Sequence, residues 1–273
     1  MRGEGAAALP LLMGIVNLTP DSFSDGGLFL KPDAAIAHAK RLIDEGADWL
    51  DLGAESSRPG AAPLPEEQEL ARLLPVLRAC AKLGVPVSVD TYKPGVMRAA
   101  IAEGAAMIND IWGFRQPGAL DAVAHADVQL CVMHMQRDPQ SMQEAPQYHD
   151  VVTEVCDFLA ARITALQAAG VARGRIVIDP GFGFGKTVAH NLALLRNLTV
   201  LEALAVPVLV GLSRKSTIAK LLGHGPEKTA SDRLHGSVAA ALLAAQRGAR
   251  ILRVHDVAAT RDALAIWRAV VAL

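Results

Sequence analysis

Short apolar runs alternate with amphipathic segments eight times along the chain. The apolar runs are rich in Val, Ile and Leu, which is typical of strands that are buried on both faces of a parallel sheet. The segments between them carry apolar residues at helical spacing, and several end at a glycine, as helices commonly do. The pattern therefore predicts a series of strand–helix units.

The predicted strands cover residues 11–16, 49–52, 87–89, 107–108, 129–133, 176–178, 208–211 and 251–254. The predicted helices cover residues 33–45, 65–83, 94–103, 119–126, 151–169, 190–204, 216–222, 232–247 and 257–271. Eight units with short connections predict an α/β fold, a single (β/α)8 TIM barrel over residues 1–273 with its active site at the carboxyl ends of the strands. A doubly wound open sheet is the alternative, but no dinucleotide fingerprint follows the first strand.

Composition narrows the classes of function. The chain has 273 residues, 51% of them hydrophobic, and a net charge of −1, which indicates a soluble globular protein with no basic surface for nucleic acid. The longest uncharged apolar run, residues 203–212, is too short to span a bilayer. The cysteines, Cys80, Cys131 and Cys156, are odd in number and widely spaced, which favours a reducing compartment and a cytoplasmic location.

The segment at residues 176–187 contains the most distinctive candidate site. Three β-branched residues precede Asp179, and a loop with glycines at 181, 183 and 185 follows it. A P-loop would need glycine at 180, where Pro stands, and a dinucleotide fingerprint would need glycine at 186, where Lys stands. A helix cap at Asp179 is the alternative, but the loop is too long and too rich in glycine for a cap, so a ligand site is favoured.

Polar residues follow most of the other predicted strands. They are Asn17, Glu55, Asp90, Asn109, His134, Ser213, Lys215, Arg253 and His255. Any one of them is explained as a turn former or a helix cap, as for Asn17 or Asp90 alone. Because the carboxyl ends of barrel strands meet on one rim, their convergence instead predicts an active site there.

The chemistry of these side chains indicates the kind of substrate. Asp90, Asn109 and Asp179 can accept hydrogen bonds from the amino-bearing edge of a flat heterocycle. Cations suited to a phosphate or carboxylate come from Arg58, Lys215, Arg253 and His255. Two polar loops, residues 17–27 and 54–60, are expected to close over the ligand once an anion binds. The site therefore predicts a substrate that carries both a heterocycle and an anionic group.

Several motifs, taken in order, resemble the dihydropteroate synthase family of folate biosynthesis. The segment Gly14-Ile-Val-Asn-Leu-Thr-Pro-Asp-Ser-Phe-Ser-Asp-Gly-Gly resembles the first family signature, and Asp51-Leu-Gly-Ala-Glu-Ser-Ser-Arg-Pro-Gly resembles the second. Further matches are Ser88-Val-Asp-Thr, Ile108-Asn-Asp-Ile, Val132-Met-His-Met, Asp179-Pro-Gly-Phe-Gly-Phe-Gly-Lys, Gly211-Leu-Ser-Arg-Lys-Ser and Arg253-Val-His-Asp. The resemblance covers essentially the whole chain. Ala54 stands where the family commonly has Gly, and Ser57 where Thr is frequent.

The resemblance implies the condensation of 6-hydroxymethyl-7,8-dihydropterin pyrophosphate with p-aminobenzoate, by loss of pyrophosphate and then attack by the arylamine. It implies that the pterin is held by Asp90, Asn109, Asp179 and Lys215. It places Mg2+ and pyrophosphate at Asn17, with Arg58, Arg253 and His255 on the leaving group. The p-aminobenzoate pocket is implied at Ser57, Pro59, Phe184 and Ser216, with Arg58 beside them. The residues expected to carry catalysis are Asp90, Asp179, Lys215 and Arg58.

Two other functions remain open at this stage. A pterin-dependent methyltransferase domain would share the barrel and the pterin floor, but would not need the chemistry of Ser57-Arg58 or Thr19-Pro20-Asp21. An inactive pterin-binding paralogue should have lost its cationic residues. The segments 236–245 and 257–271 carry apolar residues around most of their circumference, more than packing against the barrel requires. This pattern predicts a homodimer built from the last helices.

Overall fold

The computed structural model describes residues 9–19, 32–56, 61–138 and 141–271. Its strands are β1 (Leu11–Asn17), β2 (Trp49–Gly53), β3 (Val87–Asp90), β4 (Met107–Asp110), β5 (Gln129–Met133), β6 (Ile176–Asp179), β7 (Leu209–Val210) and β8 (Ile251–Val254). Its α-helices are α1 (Pro32–Asp44), α2 (Glu66–Cys80), α3 (Pro94–Ala102), α4 (Ala119–Val123), α5 (Val151–Ala168), α6 (Val188–Arg196), α7 (Ser216–Leu221), α8 (Leu234–Ala245) and α9 (Val257–Val271).

The strands form one parallel sheet that closes on itself. Neighbouring strands follow the order β6-β5-β4-β3-β2-β1-β8-β7. The two ends of this order meet at a parallel bridge between Ile178 and Val208, where the Ile178 N–H donates to the Pro207 carbonyl at 2.9 Å. The fold is a (β/α)8 TIM barrel, as the sequence predicts, and the open-sheet alternative is wrong.

Strand alternation divides each strand between the barrel interior and the helical layer. The interior cluster contains Met13, Met107, Cys131, Val177, Leu209 and Ile251, with Trp49 packed against it. Successive inward positions are two residues apart, so the next inward residues of β2, β4, β6 and β8 are Asp51, Asn109, Asp179 and Arg253. The apolar layer therefore fills the lower interior, and a polar layer lies above it toward the carboxyl ends of the strands.

Several predicted elements differ from the structure, among them the helices predicted over residues 65–83 and 119–126, which end at Cys80 and Val123. The helix predicted over residues 190–204 ends at Arg196, and a 3-10 helix, Leu198–Leu204, follows. The Asn197 side chain donates to the Ala193 carbonyl at 2.9 Å, an alternative to continued helical bonding that Asn favours. The helix predicted over residues 232–247 is likewise split into a 3-10 turn, Ser231–Arg233, and α8. The strand predicted over residues 208–211 is limited to β7, with Val208 in an isolated parallel bridge to Ile178.

Two further findings concern the chain as a whole. Among the described residues, no helix combines the length and apolar character that crossing a membrane requires. Cys80, Cys131 and Cys156 are free thiols, and the first two are buried.

Candidate active site

The polar layer at the carboxyl ends of the strands, here called the barrel mouth, contains the residues predicted to bind the pterin. Asp90 ends β3, Asp179 ends β6, and Asn109 lies beside Asp90 in the β3–β4 register. The alternative roles as helix caps fail, because α3 begins after Lys93 without a side-chain cap and α6 is capped by Thr187. Arg58, Ser57 and Pro59 lie outside the described residues, so their predicted roles stay predictions.

Arg253 forms the centre of a buried charge cluster. Its Nε donates to Asp51 Oδ2 at 2.6 Å and its Nη2 donates to Asp90 Oδ2 at 3.1 Å. Burial alone would lower the pKa of Arg253, but the two carboxylates raise it above the ordinary value. The sequence predicted Arg253 as a cation for the substrate anion, whereas here it is the counter-ion of two aspartates.

At Asp90, Asp179 and Lys215, burial shifts the pKa in one direction and a neighbouring charge opposes the shift. Burial raises the pKa of Asp90 to about 7, although Arg253 opposes the rise. Burial also raises the pKa of Asp179, and Lys215 opposes this. Burial lowers the pKa of Lys215 to about 8, with Asp179 acting in the opposite direction. Asp90 is therefore poised to change its protonation near neutral pH, while Lys215 remains mostly charged there.

Asn109 supplies an acceptor that has no protein partner. The residue is 4% exposed, and its Oδ1 accepts no hydrogen bond from the described part of the chain. An unsatisfied buried acceptor costs about 1–3 kcal/mol. A ligand donor bound at this position would remove that cost, which supports the predicted acceptor floor.

Lys215 and Phe184 lie together at the edge of the site. The Lys215 Nζ donates to the Phe182 carbonyl and lies 4.4 Å from the centre of the Phe184 ring. Lys215 is the N-cap residue of α7, and the next residue, Ser216, begins the helix and is exposed. Loops after β6 and β7 thus bring together three residues predicted to contact the pterin or p-aminobenzoate.

Comparison with known proteins decides the family. Residues 13–255 match the family described as pterin binding enzyme. Dihydropteroate synthase of Neisseria meningitidis serogroup B (strain ATCC BAA-335 / MC58) is 52% identical over 266 residues, which cover 95% of this chain and 92% of that protein. The chain belongs to the dihydropteroate synthase family.

Solved structures of the dihydropteroate synthase family share the architecture. Xanthomonas albilineans dihydropteroate synthase with 4-aminobenzoic acid matches with a TM-score of 0.91 and 56% identity, covering 97% of this chain and 94% of that one. The same organism's enzyme in complex with 7,8-dihydropteroate matches with a TM-score of 0.87 and 54% identity, covering 97% and 95% of the two chains.

His255 differs from its predicted role in this dihydropteroate synthase family member. Burial, followed by the charges of Arg214 and Arg253, lowers the pKa of His255 to about 3, so the ring is neutral at neutral pH. The Ser213 Oγ accepts from the His255 backbone N–H at 3.2 Å and lies 3.0 Å from Nδ1. The hydroxyl can donate to Nδ1 or accept from it, so either ring nitrogen can carry the single ring proton. The ring of His255 is thus neutral rather than the predicted cation, and its predicted place beside the leaving group stays a prediction.

Two of the predicted polar strand ends, Glu55 and His134, are hydrogen-bonded to residues of neighbouring loops. Glu55 accepts hydrogen bonds from the Tyr92 hydroxyl at 2.9 Å and from Lys93 Nζ. His134 is 5% exposed and its Nδ1 lies 2.8 Å from Lys186 Nζ. A cavity of about 300 Å³ lies beside Asp90 and is bordered by Glu55, Tyr92 and Trp112.

The predicted metal residue, Asn17, ends β1 and pairs with Gly53 of β2. The described ranges contain no group of three or more His, Cys, Asp or Glu side chains able to hold a metal ion. Mg2+ commonly binds through one or two protein oxygens, with water and substrate phosphates supplying the rest. A single amide oxygen therefore fits a metal that arrives with the substrate, rather than a metal held by the protein alone.

Sequence reasoning missed two buried residues of the site. Asp51 appeared only inside a family signature, and Lys186 only at the end of a family motif and as a reason to reject a dinucleotide fingerprint. Each carried a usable signal, because a charged residue at an inward position of a barrel strand, or beside a buried loop, requires a partner.

Proposed function

We propose that this protein condenses 6-hydroxymethyl-7,8-dihydropterin pyrophosphate with p-aminobenzoate to give 7,8-dihydropteroate and pyrophosphate. The observation that carries the proposal is the set of acceptors at the mouth, the buried Asn109 and Asp179 and the partly buried Asp90, beside the Lys215 ammonium. Xanthomonas relatives in complex with 4-aminobenzoic acid and with 7,8-dihydropteroate support it.

The acceptors orient the pterin. Asp179 Oδ1 already accepts the Gly181 N–H at 2.7 Å, which holds the carboxylate in place and leaves Oδ2 for the ligand. Asn109 Oδ1 and the carboxylate of Asp90 face the same mouth and can accept further N–H groups of the heterocycle. Preorganised acceptors of this kind fix the pterin before any bond is broken.

The reaction proceeds by loss of the leaving group. The C–O bond breaks with its electron pair on pyrophosphate, and the positive charge left on the pterin methylene is stabilised by Asp179 and Asp90. The arylamine nitrogen then forms the new C–N bond and releases a proton. Lys215, the neutral His255 ring and the predicted Arg58 stabilise the departing anion, and Phe184 with Ser216 borders the arylamine.

Mg2+ is part of this proposal through Asn17. The Asn17 amide oxygen would hold the ion together with pyrophosphate oxygens. Bound there, the ion would neutralise charge on the leaving group.

The test is a two-substrate assay. Purified protein given the pterin pyrophosphate and p-aminobenzoate should release one pyrophosphate per dihydropteroate formed. Asp179→Asn keeps the oxygen that accepts the Gly181 N–H, so it should fold normally yet lose most pterin affinity. Pterin binding without turnover would instead support the inactive paralogue, and methyl transfer to a cobalamin protein would support the methyltransferase.

A homodimer through α8 and α9 is proposed with this function. The outer surfaces of these helices expose Leu243, Ile266, Val270 and Val271, the second of them 69% exposed. Exposed apolar side chains of this size favour a surface that another molecule covers. Sedimentation at micromolar concentration should give twice the chain mass of 28.7 kDa, and a purely monomeric species would contradict the dimer. The free thiols of Cys80, Cys131 and Cys156 suit a cytoplasmic location, which cell fractionation tests.

A further inference from the structure

The glycine-rich loop after β6 is held by side chains along its whole length. Every carbonyl of residues 181–185 accepts a hydrogen bond from a side-chain donor. The donors are Lys186 Nζ to Gly181 at 2.9 Å, Lys215 Nζ to Phe182, Gln143 Nε2 to Gly183 at 2.5 Å, Lys186 Nζ to Phe184 at 3.0 Å and Tyr148 Oη to Gly185 at 2.8 Å. Lys186 therefore supplies two of these bonds, more than any other donor to the loop.

Lys186, behind this loop, is a buried lysine, which is unusual for so polar a side chain. It is 3% exposed, and its third acceptor is His134 Nδ1 at 2.8 Å. Burying an ammonium is costly unless its protons are bonded, and here three acceptors match the three N–H groups. Burial also lowers the pKa of His134 to about 2, which keeps its ring neutral and able to accept at Nδ1. Burial lowers the pKa of Lys186 well below its ordinary value, although Asp179 opposes this, and three hydrogen bonds hold its amine at a position where an apolar side chain would cost less to bury.

The position of the loop determines the positions of two residues of the site. Its glycines at 181, 183 and 185 have φ angles of +68°, +80° and +62°, a region that glycine adopts without steric cost. Besides one bond within the loop, from the Phe184 N–H to the Gly181 carbonyl at 3.1 Å, its carbonyls are held by the side-chain donors. The loop in turn holds Lys215 through the Phe182 carbonyl and carries Phe184 beneath the Lys215 ammonium. A change in the loop carbonyls would therefore move residues that face both substrates.

We propose that Lys186 is a positioning residue: from behind the glycine-rich loop, its ammonium fixes the carbonyls of Gly181 and Phe184 and thereby sets where Lys215 and Phe184 stand in the site. The expected effect of Lys186 on turnover rests on the proposed function. Its expected effect on the structure of the glycine-rich loop is independent of that function.

Arg175 provides a matched control at the other end of β6. Its guanidinium donates to the backbone carbonyls of Val128, Ala124 and Val123 at 2.9, 3.0 and 2.9 Å. The amino ends of barrel strands serve stability rather than catalysis. Lys186→Met and Arg175→Met both strip donors from backbone carbonyls, but only the first does so beside the site.

The experiment compares these two variants below their unfolding temperatures. We expect Lys186→Met to lower kcat/KM for p-aminobenzoate by about 100-fold, since a misplacement of about 1 Å can cost that much. Arg175→Met should lose stability but keep wild-type kinetics. A Lys186→Met enzyme with wild-type kcat/KM, or with a loss no larger than that of Arg175→Met, would overturn the proposal.

Hydrogen exchange separates this proposal from the proposed function. The amides of residues 181–185 should exchange faster in Lys186→Met and at the wild-type rate in Arg175→Met, whether or not the wild type makes dihydropteroate. Unchanged exchange in Lys186→Met would overturn the positioning role. An inactive wild type with this exchange pattern would overturn only the proposed function.

Chemical rescue tests the ammonium itself. Lys186→Ala lacks the atoms that n-propylammonium supplies, so this ion should restore part of the kcat, whereas 1-propanol should not. Equal rescue by both additives would mean that Lys186 only fills space. Should neither Lys186 variant fold, His134→Leu leaves one N–H of the ammonium without a partner, which favours movement of Nζ away from the Gly181 and Phe184 carbonyls toward another acceptor or water. It should then raise KM for both substrates several-fold, and unchanged kinetics would count against the proposal.

Discussion

Gly181→Ala is the substitution for which the structure predicts the largest loss from a single methyl group. A Cβ at Gly181 would lie 1.8 Å from the His134 carbonyl oxygen and 3.0 Å from its carbon. Carbon and oxygen normally approach to about 3.3 Å, so the two segments must separate by roughly 1.5 Å. The obstacle is backbone that the β5–β6 ladder fixes, because the His134 N–H donates to the Asp179 carbonyl at 2.9 Å.

The cost has two parts that a control variant separates. Alanine at a left-handed φ costs about 1–2 kcal/mol, and forced overpacking adds about 1–3 kcal/mol. Gly170 has a φ of +91°, and nothing lies within 4 Å of the place that an added Cβ would occupy, so Gly170→Ala incurs only the first part. Urea unfolding should therefore show Gly181→Ala destabilised by about 2–5 kcal/mol and Gly170→Ala by about 1–2 kcal/mol.

Activity should separate the two variants further. The clash displaces the chain directly after Asp179, and a shift of about 1 Å at a reacting centre can lower kcat/KM about 100-fold. Gly170 lies at the far end of α5, so Gly170→Ala should keep wild-type kinetics. Equal unfolding free energies for the two variants, together with wild-type kinetics for Gly181→Ala, would refute this reasoning.

Three further predictions concern Asp90, Arg253 and Ser213 at the barrel mouth. Because burial raises the pKa of Asp90 to about 7 and the pterin needs the ionised carboxylate, pterin affinity measured by calorimetry should fall about tenfold per pH unit below that value; Asp90→Asn should flatten the profile. Arg253→Met leaves Asp51 and Asp90 without their counter-ion, so urea unfolding should show a loss of about 3–5 kcal/mol, and the affinity profile should move to higher pH; an unchanged profile would contradict the pairing. Ser213→Ala removes the partner of His255 Nδ1 and should weaken pyrophosphate binding several-fold, less than His255→Ala does; equal losses would assign both residues to the anion.

Strand order and barrel closure were predictable from the sequence because each element carries its own local signal. Apolar runs mark the strands, and helical spacing with terminal glycines marks the helices. The failures were also local. A helix that stops at Asn197 and continues as 3-10 turns keeps nearly the same apolar spacing, so periodicity alone does not separate the two forms.

The site was predictable only in part, because its residue types are local but its pairings are not. Asp90, Asn109 and Asp179 could be found from their places at strand ends. The Arg253–Asp51 bond joins residues 202 positions apart, and no periodicity links them. Lys186 and His134, 52 positions apart, illustrate the same limit. Side-chain type predicted that these residues were charged or polar, but only the fold determines what each one neutralises.

These pairings determine which charges at the barrel mouth are available to act on the substrate. Among the described residues, the Arg253 guanidinium is bonded to Asp51 and Asp90, and Lys215 lies close enough to Asp179 to oppose the rise in its pKa. Because these cations are already engaged by carboxylates, the mouth does not by itself favour a pyrophosphate, and the proposed chemistry therefore includes Mg2+ at Asn17 and the predicted Arg58. Once pyrophosphate leaves, the same carboxylates can stabilise the pterin methylene cation. The proposed order, in which the C–O bond breaks before the arylamine attacks, uses these carboxylates, whereas a concerted displacement would form no full cation for them to stabilise.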